Sequence, residues 1–191
     1  PYVSIDPGVR KFATYYSPFI HGNIGSRASC SITRLCLSID KLCSRISKGS
    51  ASKKKMYEKV KRRLVVRINN LLDDMHKKFA LFLVKTFDTI FVPTYNPMQI
   101  AVKVHSKLAR ALLSLAHGRF FSILKNKAEE YSSTIIRDSE AYTSVTCSYC
   151  GTINSKLGGK EIFKCNSCGV TVDRDGNGAR GFYLRAMLAP T

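Results

Sequence analysis

Residues 143–182 read TSVTCSYCGTINSKLGGKEIFKCNSCGVTVDRDGNGARGF, and this stretch holds two Cys-x-x-Cys pairs. The pairs are Cys147 with Cys150 and Cys165 with Cys168, and the intervening segment has 14 residues. This spacing is typical of one tetrahedral zinc ion held by four thiolates. Four thiolates leave no open coordination position for a substrate, so the sequence predicts a structural Zn²⁺ site.

Two aspartates, Asp173 and Asp175, follow the second cysteine pair. A short apolar strand is predicted just before them, over residues 170–172. In the local sequence, the cations that can pair with these acids are Arg174 and Arg180. For the two arginines, contact with phosphate and pairing with Asp173 are equally good interpretations.

The charge balance of the chain indicates a polyanionic partner. Its 191 residues include 31 Lys and Arg against 13 Asp and Glu, which gives a formal net charge of +18. Such an excess favours nucleic acid first and an anionic membrane surface second. No apolar run approaches the roughly 18 residues that would span a bilayer, and the N-terminus is no signal peptide, so no membrane partner is expected. Four of the seven cysteines have zinc spacing, which predicts a reducing, intracellular compartment.

Hydrophobic periodicity predicts an α/β fold with a mixed sheet flanked by helices. A hairpin is expected over residues 2–16, and further strands over 32–39, 87–92, 133–137 and 170–172. Helices are expected over 53–83, 101–117, 120–131 and 177–188, with Gly118 as a helix stop. Residues 21–31 are predicted as a loop and residues 48–53 as a linker.

The helix over residues 53–83 is apolar along one face and strongly basic elsewhere. A solvated basic surface is one interpretation, but the density of positive charge in its first half favours contacts with phosphates. Such contacts position nucleic acid without reading its sequence. The residues proposed for this role are Lys53, Lys54, Lys55, Lys61, Arg62 and Arg63.

Three acids lie at the ends of predicted elements: Asp6, Glu140 and either Asp175 or Asp173. For Asp6 alone, a turn-capping role in Asp-Pro-Gly would be the simpler interpretation. Grouped carboxylates, however, suit hard cations such as Mg²⁺, for which Mn²⁺ can substitute. Two such ions about 4 Å apart can hold a phosphodiester, activate water and stabilise the leaving oxygen. In a basic chain this pattern indicates a nuclease.

Four segments resemble a known family: SIDPGVRKFAT (4–14), DDMHKKF (73–79), EAYTSVTCSYCG (140–151) and DRDGNGARG (173–181). They are similar to the RuvC-like nuclease domain of the TnpB/Fanzor proteins, which are relatives of the type V CRISPR effectors. The likeness extends over almost the whole chain, in the same order. It implies a ribonuclease H-like (RuvC) fold with an inserted four-cysteine zinc ribbon, and RNA-guided cleavage of DNA.

The resemblance assigns roles to individual residues. Asp6 matches the first catalytic aspartate and Asp175 the last, with Asp173 as the alternative. TnpB-like sequences have a glutamate just after the strand that ends near residue 92, where this chain has Pro93. Fanzor-type members instead have a glutamate shortly before the zinc ribbon, and Glu140 stands at that place. The zinc is then expected to hold the acids on either side of the ribbon in register.

The resemblance also predicts the domain organisation. Residues 1–144 form the nuclease core, 145–169 the zinc ribbon insert, and 170–191 the last nuclease segment with a closing helix. The family has an N-terminal half that binds guide RNA. This chain opens without Met in a predicted strand, so we expect a fragment or a processed chain.

Three function classes remain open at this point. The first is a Mg²⁺-dependent, monomeric DNA endonuclease domain that uses a guide RNA in the full-length protein. The second is a nucleic-acid-binding remnant that no longer cleaves. The third is a zinc-ribbon adaptor that binds another protein. A nuclear location is expected if the source is a eukaryote or its virus.

Overall fold

A computed structural model describes residues 1–94, 97–139, 143–154 and 160–188. The strands are β1 (Tyr2–Pro7), β2 (Ala13–Tyr16), β3 (His21–Ile24), β4 (Thr89–Pro93), β5 (Thr134–Asp138), β6 (Ile162–Lys164) and β7 (Thr171–Asp173). The helices are α1 (Ser26–Lys48), α2 (Ala51–Thr86), α3 (Pro97–Lys103), α4 (Ser106–Ser114), α5 (His117–Glu130) and α6 (Arg174–Leu188). Among these helices, none combines the length and apolar character that crossing a bilayer requires.

Five strands form one mixed sheet in the order β3-β2-β1-β4-β5. The strands β1, β2 and β3 are joined in antiparallel pairs, whereas β1, β4 and β5 run parallel to one another. The carboxyl ends of β1, β4 and β5 therefore meet at one edge of the sheet. That edge receives Asp6 from β1, Pro93 from β4 and Asp138 from β5.

The two faces of the sheet pack against different helices, because side chains alternate along each strand. On one face, Val3, Ile5 and Ile90 are fully buried in a core that includes residues of α2 and α5. On the other face, Phe91 packs with Phe182 of α6 in a smaller cluster. The predicted mixed α/β architecture is thus confirmed, and the sheet edge with Asp6 lies beside α6.

The region before α2 differs from the prediction. Residues 32–39, expected as a strand, lie in the middle of α1, and residues 21–31, expected as a loop, contain β3. Ile32, Leu35, Cys36 and Ile39 all pack against the core, and their spacing of three and four residues is helical. A short apolar run is compatible with the repeat of a strand as well as with that of a helix, which is why the strand prediction was wrong. The expected linker is reduced to Gly49 and Ser50 between α1 and α2.

The helix stop was also misplaced. Gly118 is the second residue of α5, and the break comes earlier, where Ala116 adopts a left-handed φ of 50°. The hairpin, the long basic helix, the strands near residues 90 and 135, and the closing helix are all present, although α6 begins at Arg174 instead of residue 177.

Phe12 joins the turn after β1 to the helices α2 and α5, whose four aromatic rings surround it. Its ring is fully buried, stacks on His117 at 4.6 Å between centroids, and meets Phe120 edge-on at 5.2 Å. The His117 Nε2 lies 3.1 Å from the carbonyl oxygen of Gly8. Burial lowers the pKa of His117 to about 4, so the imidazole is neutral at pH 7. The turn that follows Asp6 is therefore fixed by the core beneath it.

Replacing Phe12 with Ala should destabilise the protein by about 3–5 kcal/mol, because the deletion leaves a cavity among four packed rings. Phe19 is the matched control, since its side chain is 89% exposed in the neighbouring turn. Phe19→Ala should change the free energy of unfolding by less than about 0.5 kcal/mol. Chemical denaturation of both variants at pH 7.5 measures the difference, and equal losses would contradict this account of the turn.

Candidate functional site

The four predicted zinc ligands lie together. The sulfur atoms of Cys147, Cys150, Cys165 and Cys168 are all within 4.8 Å of one another. The Cys147–Cys168 sulfur distance is 3.8 Å and the Cys150–Cys165 distance is 3.6 Å. A tetrahedral Zn–S bond of about 2.3 Å requires sulfurs about 3.8 Å apart, so the cluster fits a zinc ion. Across the described ranges, no other group of three or more His, Cys, Asp or Glu side chains lies close enough to share an ion.

Each cysteine pair is folded into a tight turn by the glycine after it. The Gly151 N–H donates to the Cys147 carbonyl at 2.8 Å, and the Gly169 N–H donates to the Cys165 carbonyl at 3.2 Å. Both glycines have a positive φ, 77° and 75°, that side chains disfavour. The sequence C-x-x-C-G therefore sets the local shape of both halves of the site.

Thr152 tunes one of the thiols. The Thr152 hydroxyl lies 3.4 Å from the Cys150 sulfur. Hydrogen bonds from this side chain and from the Thr152 backbone lower the pKa of Cys150 to about 6. The thiolate is the form that binds metal, so this contact favours that form at Cys150, whereas burial and the neighbouring thiols raise the pKa of Cys168 to about 12.

Asn177 fastens the cysteine region to α6. Its side chain is buried, and its Oδ1 accepts hydrogen bonds from the Ser148 N–H at 3.0 Å and the Ser148 hydroxyl at 2.9 Å. Its Nδ2 donates to the Thr146 carbonyl at 2.8 Å. No pattern in the sequence predicted this role for Asn177, although the residue lies in the segment DRDGNGARG that contains Asp175. The zinc region and the start of α6 therefore form one unit.

Asp6 lies directly against the backbone of α6. A side-chain carbon at Gly178 would come within 2.7 Å of the Asp6 Oδ2, so only glycine fits this approach. One residue later, the Ala179 carbonyl accepts a 2.7 Å hydrogen bond from the buried Ser4 hydroxyl. Asp175 precedes Gly178 by three residues, and residues so spaced lie on the same side of a helix. By this spacing, Asp175 lies on the side of α6 at which Gly178 meets Asp6.

Lys11 is a cation that pairs with both aspartates, and it was not among the cations expected from the local sequence. Its ammonium nitrogen lies 2.8 Å from the Asp173 Oδ2 and 3.5 Å from the Asp175 Oδ2. Arg180 instead donates to the Ser148 carbonyl. No local pattern marked Lys11, because it is 162 residues from Asp173.

The two aspartates have different surroundings. Asp173 caps α6, since its Oδ1 accepts the Gly176 N–H at 3.0 Å while its Oδ2 faces Lys11. Partial burial raises the pKa of Asp173, but the hydrogen bonds from Lys11 and Gly176 outweigh it and hold that pKa below its usual range. Both oxygens of Asp173 are thus engaged. Asp175 lies one position into the helix, with the longer contact to Lys11.

The other predicted residues fall into two groups. Glu140 lies outside the described residues. The basic residues of α2 extend along its N-terminal half, before the first buried side chain at Ile68. Lys53, Lys54, Lys55, Arg62 and Arg63 are exposed and Lys61 is half-exposed. This half of α2 packs chiefly against α1 and presents its charges to solvent.

Comparison with known proteins places the chain among its relatives. Residues 117–182 match the family model described as Cas12f1-like, TNB domain. The chain is 32% identical over 200 residues to a TnpB-like protein of Acanthamoeba polyphaga mimivirus, an alignment with 97% of this chain and 37% of that protein. The chain is a relative of the TnpB proteins.

Two further likenesses concern Cas12f1. This TnpB relative is 46% identical over 59 residues to the CRISPR-associated endodeoxyribonuclease Cas12f1 of Sulfoacidibacillus thermotolerans, over 30% of the chain and 14% of that protein. The cryo-EM structure of a Cas12f1-sgRNA-target DNA complex superposes with a TM-score of 0.63 at 18% identity, and covers 94% of this chain and 48% of that one. The two share a fold, and the TnpB relative spans less than half of each of these proteins.

Zinc binding should be lost when a cysteine of the cluster is replaced and kept when a cysteine elsewhere is replaced. Cys165→Ser should abolish binding of one zinc ion per chain and unfold the segment around it, because such sites supply folding free energy directly. Cys43→Ser, at an exposed cysteine on α1, should retain the zinc and the wild-type melting temperature. Metal content by mass spectrometry, with melting curves, distinguishes them. Full zinc content in the Cys165 variant would refute the assignment.

Gly178→Ala should disrupt the approach of α6 to β1. The added methyl would overlap the Asp6 carboxylate, and relieving the clash should cost about 1–3 kcal/mol and displace that carboxylate. Gly118→Ala is the matched control, since a side-chain carbon there meets nothing within 4 Å. It should be neutral or stabilising by up to about 1 kcal/mol. If both variants unfold at the wild-type denaturant midpoint, the contact is not as tight as described.

Proposed function

We propose that this TnpB relative is a RuvC-like nuclease domain that hydrolyses DNA phosphodiesters with two divalent cations, and that an RNA guides it in the whole protein. The observation that carries the proposal is the approach of α6 to β1 at Gly178, where the helix backbone meets the Asp6 carboxylate. Asp175 precedes this glycine by three residues, a spacing that lies on the same side of a helix. The relation to an endodeoxyribonuclease and the fold shared with a Cas12f1-sgRNA-target DNA complex support it.

The residues proposed to hold Mg²⁺ are Asp6, Asp175 and Glu140. Carboxylate oxygens are the ligands that this hard cation prefers. Bound as a pair, the ions would supply an activated water and stabilisation of the leaving oxygen. Of the two neighbouring aspartates, Asp175 is the better candidate, because Asp173 has both oxygens engaged in capping α6 and pairing with Lys11.

Glu140 is proposed from the geometry of its neighbour in sequence. The strand β5 ends at Asp138, which is paired with Pro93 at the end of β4. Since β1 runs parallel to β4, the chain leaves β5 at the sheet edge where Asp6 lies. Two residues later the sequence reaches Glu140. Pro93 cannot bind a cation, so a carboxylate from this segment is the available replacement.

A ribonuclease H-like core of this kind fits the mixed sheet, in which β1 has an antiparallel neighbour on one side and a parallel one on the other. We assign the exposed basic half of α2 to contacts with phosphates. With a net charge of +18, the domain attracts nucleic acid through a field that salt weakens.

A second candidate function is binding without cleavage. The observation that favours it is Pro93, a neutral residue where TnpB-like proteins have an acid. Under this alternative the acids at the sheet edge lack a third ligand, while the basic surface is unaffected.

Asp6→Asn, Asp175→Asn and Glu140→Gln should each lower the rate of Mg²⁺-dependent DNA cleavage by at least about 100-fold, because each removes an anionic metal ligand. Asp74→Asn is the matched control, since Asp74 pairs with Lys78 on the surface of α2. Its cleavage rate should equal that of the wild type. Rates are measured in the protein that contains this chain, with its guide RNA and a matching target.

Binding to the same target, measured over a range of salt concentrations, separates the alternatives. The three site variants should bind with wild-type affinity and salt dependence, because the phosphate contacts lie elsewhere. A wild-type protein that binds the target but does not cut with Mg²⁺ or Mn²⁺ would favour the remnant. Full activity in the Glu140 variant would assign the middle ligand to another residue.

A further inference from the structure

A cavity of about 260 Å³ opens between the β2–β3 hairpin, the first cysteine pair and α6. The residues that line it include Thr14, Tyr16, His21, Tyr149 and Arg180. By liquid volume it accommodates about nine waters, which is also the space of one planar ring system of eight to ten atoms. It is far too small for a duplex, so a ligand here would be a single flat group.

The cavity begins beside the candidate metal-binding acids. Thr14 is the cross-strand partner of Asp6, and such partners have side chains about 5 Å apart. On the opposite side, Asp173 and Gly176 from the start of α6 line the same cavity. A strand whose phosphate lies at the acids therefore has an adjacent base within reach of this cavity.

Aromatic groups among the lining residues supply two flat surfaces. The Tyr149 ring is 55% exposed, and the Arg180 guanidinium lies 4.2 Å from its centroid. Arg180 is held by the Ser148 carbonyl, which fixes the pair. Across the cavity, the rings of Tyr16 and His21 are stacked at 6.1 Å with 27° between their planes. Aromatic and guanidinium planes of this kind bind unpaired bases by stacking.

The polar groups that line the cavity can bind the edge of a base. The Thr14 hydroxyl donates to the Asn23 Oδ1 at 2.9 Å, which leaves the amide nitrogen of Asn23 as the atom with protons to donate. Base edges present carbonyl oxygens and ring nitrogens as acceptors. The cavity thus combines flat apolar surfaces with a hydrogen-bond donor, and Arg180 adds positive charge at its wall.

We propose that this cavity binds one unpaired base of the DNA strand that is cut, next to the scissile phosphate. The inference rests on the proposed function for the identity of the strand. Stacking on Tyr149 and Arg180 supplies the affinity, and the base anchors the backbone so that the phosphate is held at Asp6 and Asp175. The site tolerates different bases, because every base has a flat face.

The test uses the guide-loaded protein that contains this chain, with Asp6→Asn so that no cleavage occurs, and a matching target that has 2-aminopurine at successive positions of the strand that is cut. One position should show a fluorescence change that Tyr149→Ala abolishes and Tyr149→Phe retains. Tyr131→Ala is the matched control, since Tyr131 is half-exposed beneath Lys85 and Lys127 on a distant surface. It should leave the signal unchanged.

Abasic scanning in the protein with wild-type Tyr149 gives a second readout that does not depend on a folded variant. An abasic residue at the responding position should weaken binding by about 5- to 150-fold, and in the Tyr149→Ala protein it should have no further effect. An equal response at all positions, or a response to RNA alone, would overturn the inference. If the wild-type protein does not cleave but the position-specific DNA response is still seen, base binding in the cavity is supported and the proposed nuclease function is refuted.

Discussion

The contact on which the candidate site depends is the approach of α6 to β1 at Gly178. The helix backbone lies so close to the Asp6 carboxylate that no side chain fits between them. The buried hydrogen bond from Ser4 to Ala179 fixes the helix at the same level. Because β1 is the central strand of the sheet, this contact ties the end of the chain to its beginning.

The cysteine cluster explains how α6 is directed to that position. Among the described residues, the hydrophobic cluster around it has three buried members, Cys147, Phe163 and Cys165, too few for this part of the segment to fold by burial alone. A metal ion that closes the loop between two cysteine pairs replaces a larger core, since metal binding supplies folding free energy. Asn177 then transmits this order to the helix through its buried amide. The four-cysteine cluster is therefore best understood as the support for α6.

The sequence was most informative where a short pattern determines a local structure. The cysteine spacing predicted the cluster, and the apolar repeat of α2 predicted the longest helix. The prediction was wrong for α1, because its apolar run fits the spacing of a helix as well as that of a strand. It was also wrong for β3, an edge strand that is held by backbone pairing to β2, because its polar and glycine residues give no strand pattern. The roles of Lys11 and Asn177 were missed for a related reason. Lys11 contacts residues that are distant in sequence, and Asn177 acts through a buried amide. Neither contact produces a periodic pattern in the sequence.

The choice between Asp173 and Asp175 shows what geometry adds to chemistry. The two residues are identical in type and two positions apart, so the sequence alone left both open. At the helix start, however, Asp173 caps the free N–H groups, whereas Asp175 is the second residue of the helix. Lys11 reinforces this difference, because its contact with Asp173 is 0.7 Å shorter than that with Asp175, 2.8 Å against 3.5 Å. A cation arriving at this edge meets Asp173 already held by two donors and Asp175 held by one weaker contact. From these contacts we propose Asp175, three residues before the glycine that meets Asp6, as the carboxylate that exchanges its partner at the lower cost.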